Sequence, residues 1–538
     1  MTNKKLCVLL FILFYSIALF TRIYWAEHKE GFHGDEGLSI VVANYSEYIW
    51  EKNYEIDKIF TGKEVKEMSF CNDGSIKGAV KDVIRLYRNN KDVPHTNLYY
   101  SLLRFSLLGL ETGEMKEIFT RGLILNLIFF SISFIFFFLL IRLIFENNFI
   151  SIVATFCTFM STATISNTLF LRPYQLQEAI FIVFAYFIFK FIIDNKNKII
   201  RTENKYFINI NLKILIPTSI VTALTLLTGY YTIIYFFLFG LFIIWYNKKE
   251  NNFDKQTIIQ EMTFYSVALF LAFLFAQAIY SNYLLGYLGY RSTGVFYTLI
   301  SERGVFDNLI LSIGTAFKFL YKHYFFNYVL GVIAILSLYL FITKAKPEFT
   351  VKQIGLFLIT IAFTFIIIYI APFKVLRYVM SLFPFLIILP IILLKSIKKT
   401  NFRILFSVLL LASFTISAYN EQNIEHLFKD RAPSFAFTKE TDIPVLVIFP
   451  GDNYWSYADI VPYFNDKQKY VFAKSIDEID SISVLKDFEE FYVAINIFGM
   501  RGTPLHIDNK FKILSEYYAA YVIDVDEYYF KCFKLKRE

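Results

Sequence analysis

Cysteine is scarce in this chain, with four residues, Cys7, Cys71, Cys157 and Cys532, among 538. Their separations match no zinc-ligand spacing, and Cys7 and Cys157 fall inside apolar runs, so neither a disulfide framework nor a thiolate metal site is expected. One pairing stays open, Cys71 with Cys532. No internal repeat is evident. The C-terminal segment has no glycine-rich phosphate loop and no clear acid/base cluster. The first apolar run lacks a small-residue cleavage site and continues through Arg22, Tyr24 and Trp25, so it reads as a retained helix rather than a signal peptide.

Apolar residues dominate instead. The chain is 56% hydrophobic and 20% aromatic, with a mean hydropathy of +0.47, against roughly 45–50% apolar in an ordinary soluble domain. This composition predicts an integral membrane protein. The formal net charge is +8, but the basic residues cluster between apolar runs, where they act as topology signals, and no nucleic-acid partner is expected.

A spanning helix needs roughly 20 apolar residues. Candidates are Leu6–Trp25, Gly122–Ile144, Phe149–Leu169, Leu176–Ile193, two spans within Leu212–Tyr246 divided at Gly229, Met262–Leu284, Phe326–Ile342, Ile354–Ile370, Val375–Leu394 and Ile404–Tyr419, about eleven in all. With the N-terminus inside, Lys4, Lys5, Lys196, Lys198, Arg201, Lys205, Lys248, Lys249, Lys255, Lys344, Lys346, Lys395, Lys398, Lys399 and Arg403 all fall on the cytoplasmic side. The expected location is a bacterial cytoplasmic membrane with the C-terminal segment outside.

Two outer segments are long, Ala26 to about Arg121 and Leu285 to Phe325, and long non-spanning segments are where chemistry is usually placed. The first carries apolar stripes at helical spacing, Leu38, Val41, Val42, Tyr45, Tyr48, Ile49 and then Val80, Val83, Ile84, Tyr87. The second carries Phe306, Leu309, Ile310, Ile313, Phe317 and Leu320. Such stripes suit helices lying on the membrane surface or packed on the bundle. The expected division is a membrane domain over 1–420 and a small α/β domain over 421–538. In the latter, "PVLVIF", "FYVAINIF" and "YYAAYVIDVDEYYFKCFKL" read as strands and "YWSYADIVPYF" as a helix.

Residues suited to chemistry collect on the outer side. Asp35 and Glu36 in "GFHGDEGLSI" follow the first span, where a carboxylate suits a general base or a metal ligand. The same letters also suit a helix cap and first-turn acids near Gly37. His95 suits metal, phosphate or sugar contact, or simple hydrogen bonding. Arg172 with Tyr174, and Arg377 with Tyr378 and Lys374, suit a phosphate grip or interfacial anchoring. Tyr230 and Tyr231 suit stacking on a sugar ring or an aromatic belt.

In order, "HGDEG", "PHTNLYYSLLR", "RPYQLQ", "LTLLTGYYTIIY" and "LRYVMSLFPFLIILP" resemble the C-type glycosyltransferase superfamily over about residues 1–420. The nearest likeness is to the branch of the protein O-mannosyltransferases and the lipid A aminoarabinose transferase. The chain departs from the family pattern at Thr96 and Asn97, where two prolines often follow the histidine, and at Gly229, where a histidine is frequent.

The resemblance implies sugar transfer from a polyprenyl-phosphate donor to a lipid, glycan or protein acceptor. Asp35 takes the acceptor proton, while Arg172, Arg377 and Lys374 face the leaving phosphate. Glu36 serves as a second acceptor contact or, with His95, as a divalent-metal ligand. Membrane lipids are implied partners. Two rival readings are a transporter, disfavoured because the spans look almost uncharged, and a catalytically inactive lipid-binding or assembly relative.

Overall fold

The computed structural model describes residues 4–46, 54–90, 92, 95–110, 113–196, 212–250, 255–288, 294–296, 304–429, 434–449, 457–497, 510–522 and 527–537. Tyr48, Ile49, Lys198, Arg201 and Lys205 lie outside these residues. The chain forms two compact units. Met1–Glu27, Val93–Tyr99 and Asn126–Glu425 make the first; His28–Asp92, Tyr100–Leu125 and His426–Glu538 make the second. Most of the first outer segment therefore folds with the C-terminal segment rather than with the helices that precede and follow it.

This is a helical polytopic membrane protein. Six described helices are long and apolar enough to cross a bilayer: Lys4–Glu27, Met115–Phe145, Tyr174–Ile193, Ile258–Ile279, Val351–Ile370 and Thr400–Ala418. Two bent pairs raise the number to eight if each is one span: Asn148–Phe159 with Thr162–Leu169, bent by 57°, and Val305–His323 with Asn327–Ile342, bent by 91°.

Other expected spans correspond to shorter or irregular helices. The break at Gly229 is present, between the helices Leu212–Leu226 and Thr232–Glu250, but the first has only 15 residues. The expected span Val375–Leu394 is not one α-helix: Leu376–Tyr378 and Met380–Ile387 are 3-10 turns, and an α-helix runs only over Ile388–Lys395. Pro384 and Pro390 remove backbone donors there. Met380–Ile387 is buried throughout, the setting in which irregular backbone is tolerated at membrane depth.

The Val305–His323 stripe faces outward. Phe306, Ile310 and Phe317 are exposed while Asn308, Ser312 and Ala316 are buried, with small and polar residues toward protein as in lipid-facing helices.

The second unit holds a mixed six-stranded sheet of β1 (Phe60–Thr61), β2 (Val445–Ile448), β3 (Lys469–Ala473), β4 (Glu490–Asn496), β5 (Phe511–Val522) and β6 (Glu527–Arg537), in the order β1-β3-β2-β4-β6-β5. β2 runs parallel to β3 and β4, and the other pairs are antiparallel. All four β2 residues are buried, which fits its unbroken apolar run, because a central parallel strand is covered on both faces. Leu446, Ile448, Val471, Val493, Ile495, Phe533 and Leu535 centre the core. The predicted strands are present; β3 and the two-residue β1 were not foreseen. β1 comes from the first outer segment, and two residues carry no periodic signal.

The four cysteines are free, so the open Cys71–Cys532 pairing is not made. Burial pushes the Cys71 thiol up to about 11 and the Cys532 thiol up to about 12.

Several surface carboxylates in this unit are held below their ordinary range. Asp57 accepts from Ser483 Oγ at 2.6 Å and from the Val484 N–H at 3.0 Å, and Glu440 and Asp480 accept from Lys534 and Lys510. A carboxylate whose folded pKa is depressed adds stability above its unfolded pKa, about 3.9 for Asp and 4.3 for Glu, and that stability is lost as pH falls through the folded value. Acidification from about pH 5 to about pH 3 is therefore expected to accelerate amide exchange in β3 to β6 of the full-length protein, read by mass spectrometry and corrected for intrinsic rates. Unchanged protection across that window would contradict the assignment.

Candidate active site

The "HGDEG" stretch lies in the second unit. Its helix runs Gly34–Ala43, so it starts one turn before the expected Gly37, and His33 is its N-cap. His33 Nδ1 accepts the Asp35 N–H at 3.0 Å, and Glu36 Oε2 accepts the His33 N–H at 2.9 Å. This is a capping box with histidine in the place usually held by Ser or Thr. The glycines allow close approach: a Cβ on Gly34 would lie 1.6 Å from Asp459 Oδ1, and one on Gly37 2.3 Å from the Ala458 carbonyl.

The two carboxylates are unequal. Glu36 is fully buried, and its Oε2 lies 2.9 Å from Lys29 Nζ, which also donates to the His426 carbonyl at 2.6 Å. Lys29 is enclosed further by the Phe428 ring, 4.9 Å away. Asp35 keeps 27% of its side chain exposed, with Oδ2 3.7 Å from His33 Nδ1. The helix N-terminus favours its negative charge.

In the helical unit, residues 95–99 are fixed by the two residues at which the chain departs from the family pattern. Thr96 Oγ1 donates to the Leu227 carbonyl, and Asn97 Nδ2 donates to the Ile279 carbonyl at 3.1 Å. His95 is thereby tied to the ends of two helices. Its ring nitrogens lie 3.2 and 3.3 Å from Arg172 Nη2.

Arg172 is buried on the turn before the helix Tyr174–Lys196. Asn126 Nδ2 holds that turn by donating to the Thr168 and Phe170 carbonyls, each at 3.0 Å. Beneath it runs a buried polar chain. Arg22 Nε donates to Thr168 Oγ1 at 3.0 Å, Thr168 to Gln175 Oε1 at 2.7 Å, and Gln175 to Glu178 Oε1 at 2.9 Å. Asn167 Nδ2 donates to Glu178 Oε2 at 3.0 Å and to the Tyr174 carbonyl at 3.2 Å.

Arg22 and Glu178 modify the sequence reading of almost uncharged spans. Arg22 sits within two turns of the C-terminal end of Lys4–Glu27 and Glu178 within two turns of the N-terminal end of Tyr174–Lys196, and each is bonded within the protein. Single ionisable residues in apolar runs were the available signal. Glu178→Ala would leave buried donors unmet, at about 1–3 kcal/mol. It is expected to lower the melting temperature of the detergent-solubilised protein, and an unchanged transition would refute that role.

His95, Tyr174, Tyr230, Tyr231 and Tyr378 line one cavity of about 40 Å³, together with Pro173, Gln177, Thr228 and Gly229. Tyr231 and Tyr378 meet edge to face at 5.8 Å, and Tyr230 stacks on Tyr283 at 5.9 Å. Gln177 and Thr228 were not anticipated; a polar residue in the first turn of a span, as in "RPYQLQ", was the available clue for Gln177.

Arg377 has its Cζ 5.8 Å from the Tyr378 ring centroid. Lys374 does not line the cavity. Its Nζ donates to Ser312 Oγ at 2.9 Å and to the Ile368 carbonyl at 2.8 Å, tying the end of Val351–Ile370 to Val305–His323.

Among the described residues, no group of three or more His, Cys, Asp or Glu side chains is arranged to hold a metal ion. Glu36 is a poor ligand within its unit because an ammonium group already lies on its Oε2.

No protein-family model matches this chain, and no curated protein matches it in sequence. Among solved structures, it is similar to ArnT from Cupriavidus metallidurans bound to undecaprenyl phosphate, with 12% identity, a TM-score of 0.46 and 97% of each chain covered. The apo form of that protein gives 11% and 0.45. An Archaeoglobus fulgidus oligosaccharyltransferase tethered to an acceptor peptide gives 10% and 0.44, covering 90% of this chain and 69% of that one.

Proposed function

We propose that this protein is a membrane glycosyltransferase that moves a sugar from a polyprenyl-phosphate donor to a lipid, glycan or protein acceptor on the extracytoplasmic face. The observation that carries the reading is the Arg172–His95 pair beside a tyrosine-lined cavity at the ends of apolar helices. A buried guanidinium suits a phosphate, and aromatic faces suit a sugar ring.

In the proposed reaction, the acceptor O–H or N–H gives its proton to the Asp35 carboxylate as the new bond to the anomeric carbon forms. The bond from that carbon to the phosphate oxygen breaks, and its electron pair leaves on the polyprenyl phosphate. Arg172 stabilises that developing charge, with Arg377 and His95 as further donor contacts. Glu36 is assigned to holding the turn that presents Asp35.

Two observations favour a transporter: the 57° break between Asn148–Phe159 and Thr162–Leu169, and the buried Arg22 and Glu178, features seen where carriers bind substrate. One experiment separates the readings. Purified protein in nanodiscs, given lipid-linked sugars extracted from a deletion strain and an acceptor fraction, is expected to release free polyprenyl phosphate with turnover. A carrier moves the donor intact and releases none.

A further inference from the structure

The helix Tyr174–Lys196 carries Gln175, Gln177 and Glu178 at its start, ahead of a long apolar run. Polar side chains in such a setting are costly unless they are paired. Gln175 and Glu178, three apart, share one face, and both are used in the buried polar chain that leads from Arg22. Gln177 points elsewhere. With 3.6 residues per turn it lies about 100° or more around the helix from either of them, on the side of the Met380–Ile387 turns and the tyrosine-lined cavity.

Its carboxamide is held at one end. Ser381 Oγ donates to Gln177 Oε1 at 3.1 Å and lies 3.2 Å from the Tyr174 carbonyl oxygen, which fixes the amide plane. The Nε2 end is directed at Gly229. A Cβ on that glycine would lie 3.4 Å from Nε2 and, among the described residues, would meet no other atom within 4 Å. Among the described residues no protein atom accepts from Nε2 either. Gln177 is 6% exposed, and an amide edge left unpaired in so enclosed a place is unfavourable until a ligand or solvent group pairs with it.

We propose that Gln177 is a specificity residue of the donor site, whose Nε2 donates to a hydroxyl of the transferred sugar in the space that Gly229 leaves open. The inference rests on the glycosyltransferase reading above and adds to it the group that reads the sugar. A neutral carboxamide suits a hydroxyl, whereas a phosphate suits the guanidinium of Arg172. The two ends of the donor are therefore read by different residues. Ser381 is a positioning residue, acting through the amide it holds.

The test uses the full-length protein in nanodiscs, as wild type and as Gln177→Met, Gly229→Ala and Ser381→Ala. One measurement is the initial rate of polyprenyl phosphate release from lipid-linked sugars extracted from a deletion strain, with donor and acceptor varied separately. The other is inhibition by undecaprenyl phosphate, which has the phosphate and the chain but no sugar. Gln177→Met keeps the length of the side chain, and Ser381 keeps the Tyr174 carbonyl. Its donor KM is expected to rise about tenfold, with the acceptor KM and the undecaprenyl phosphate inhibition constant within about twofold of wild type. Gly229→Ala puts a methyl group where the sugar hydroxyl would sit and should show the same split. Ser381→Ala should show it more weakly. An unchanged donor KM in both Gln177→Met and Gly229→Ala overturns the proposal. Equal weakening toward donor and undecaprenyl phosphate also overturns it, because that assigns Gln177 to the phosphate or to structure. Absence of release by the wild-type protein is a separate result: it refutes the glycosyltransferase reading, and this inference falls with it.

Discussion

Asp35→Asn is expected to reduce sugar transfer by about 10²–10⁴-fold in kcat, the range that loss of a general base produces, without unfolding the protein. The substitution keeps the shape of the side chain. The cap it belongs to survives, because His33 Nδ1 bonds the Asp35 backbone N–H rather than its carboxylate. Glu36→Gln is the informative contrast. It removes the charge facing Lys29 in a buried pair, where losing one partner costs about 3–5 kcal/mol of stability. Its expected result is a lower melting temperature with kcat per folded molecule largely retained. Wild-type turnover in purified Asp35→Asn would sink the assignment of the base, and a stable but inactive Glu36→Gln would transfer the role to Glu36.

The second large effect is expected at Arg172. Replacement by Gln removes a guanidinium that lies 3.2 and 3.3 Å from the His95 ring nitrogens and should lower kcat by about 10²–10³-fold, as loss of a preorganised charge donor does. The donor KM should rise while the acceptor KM changes little. Arg172→Lys keeps the charge but not the planar fork, and only partial recovery is expected. The measurement is initial-rate kinetics with donor and acceptor varied separately. An equal rise in both KM values with kcat intact would reassign Arg172 to structure.

Much of the helical unit was legible because crossing a bilayer imposes a length and a composition that few other structures require. The break near Gly229 was readable because Leu212–Tyr246 is too long for one span. The 3-10 turns at Leu376–Tyr378 and Met380–Ile387 were not, since an apolar run has the same letters whether it faces lipid or is buried in protein. The letters "HGDEG" suit a helix cap, yet the cap is His33, a residue type rarely used there. Gln177 and Thr228 were passed over because polar letters at a span end carry no mark of the cavity they line.

The sequence by itself determined that this is a polytopic membrane protein, that its candidate residues occur at span ends, and that a small α/β segment closes the chain, because hydropathy and strand periodicity are local properties. The tertiary structure decided what depends on distant partners. β1, from the first outer segment, pairs with β3 more than 400 residues later. Lys29 and His33 occupy Glu36 and leave Asp35 the more exposed carboxylate. His95, Tyr174, Tyr231 and Tyr378, from four separate stretches, share one cavity. No local pattern encodes these meetings, because burial and hydrogen bonding are settled only when segments remote in the chain compete for the same space.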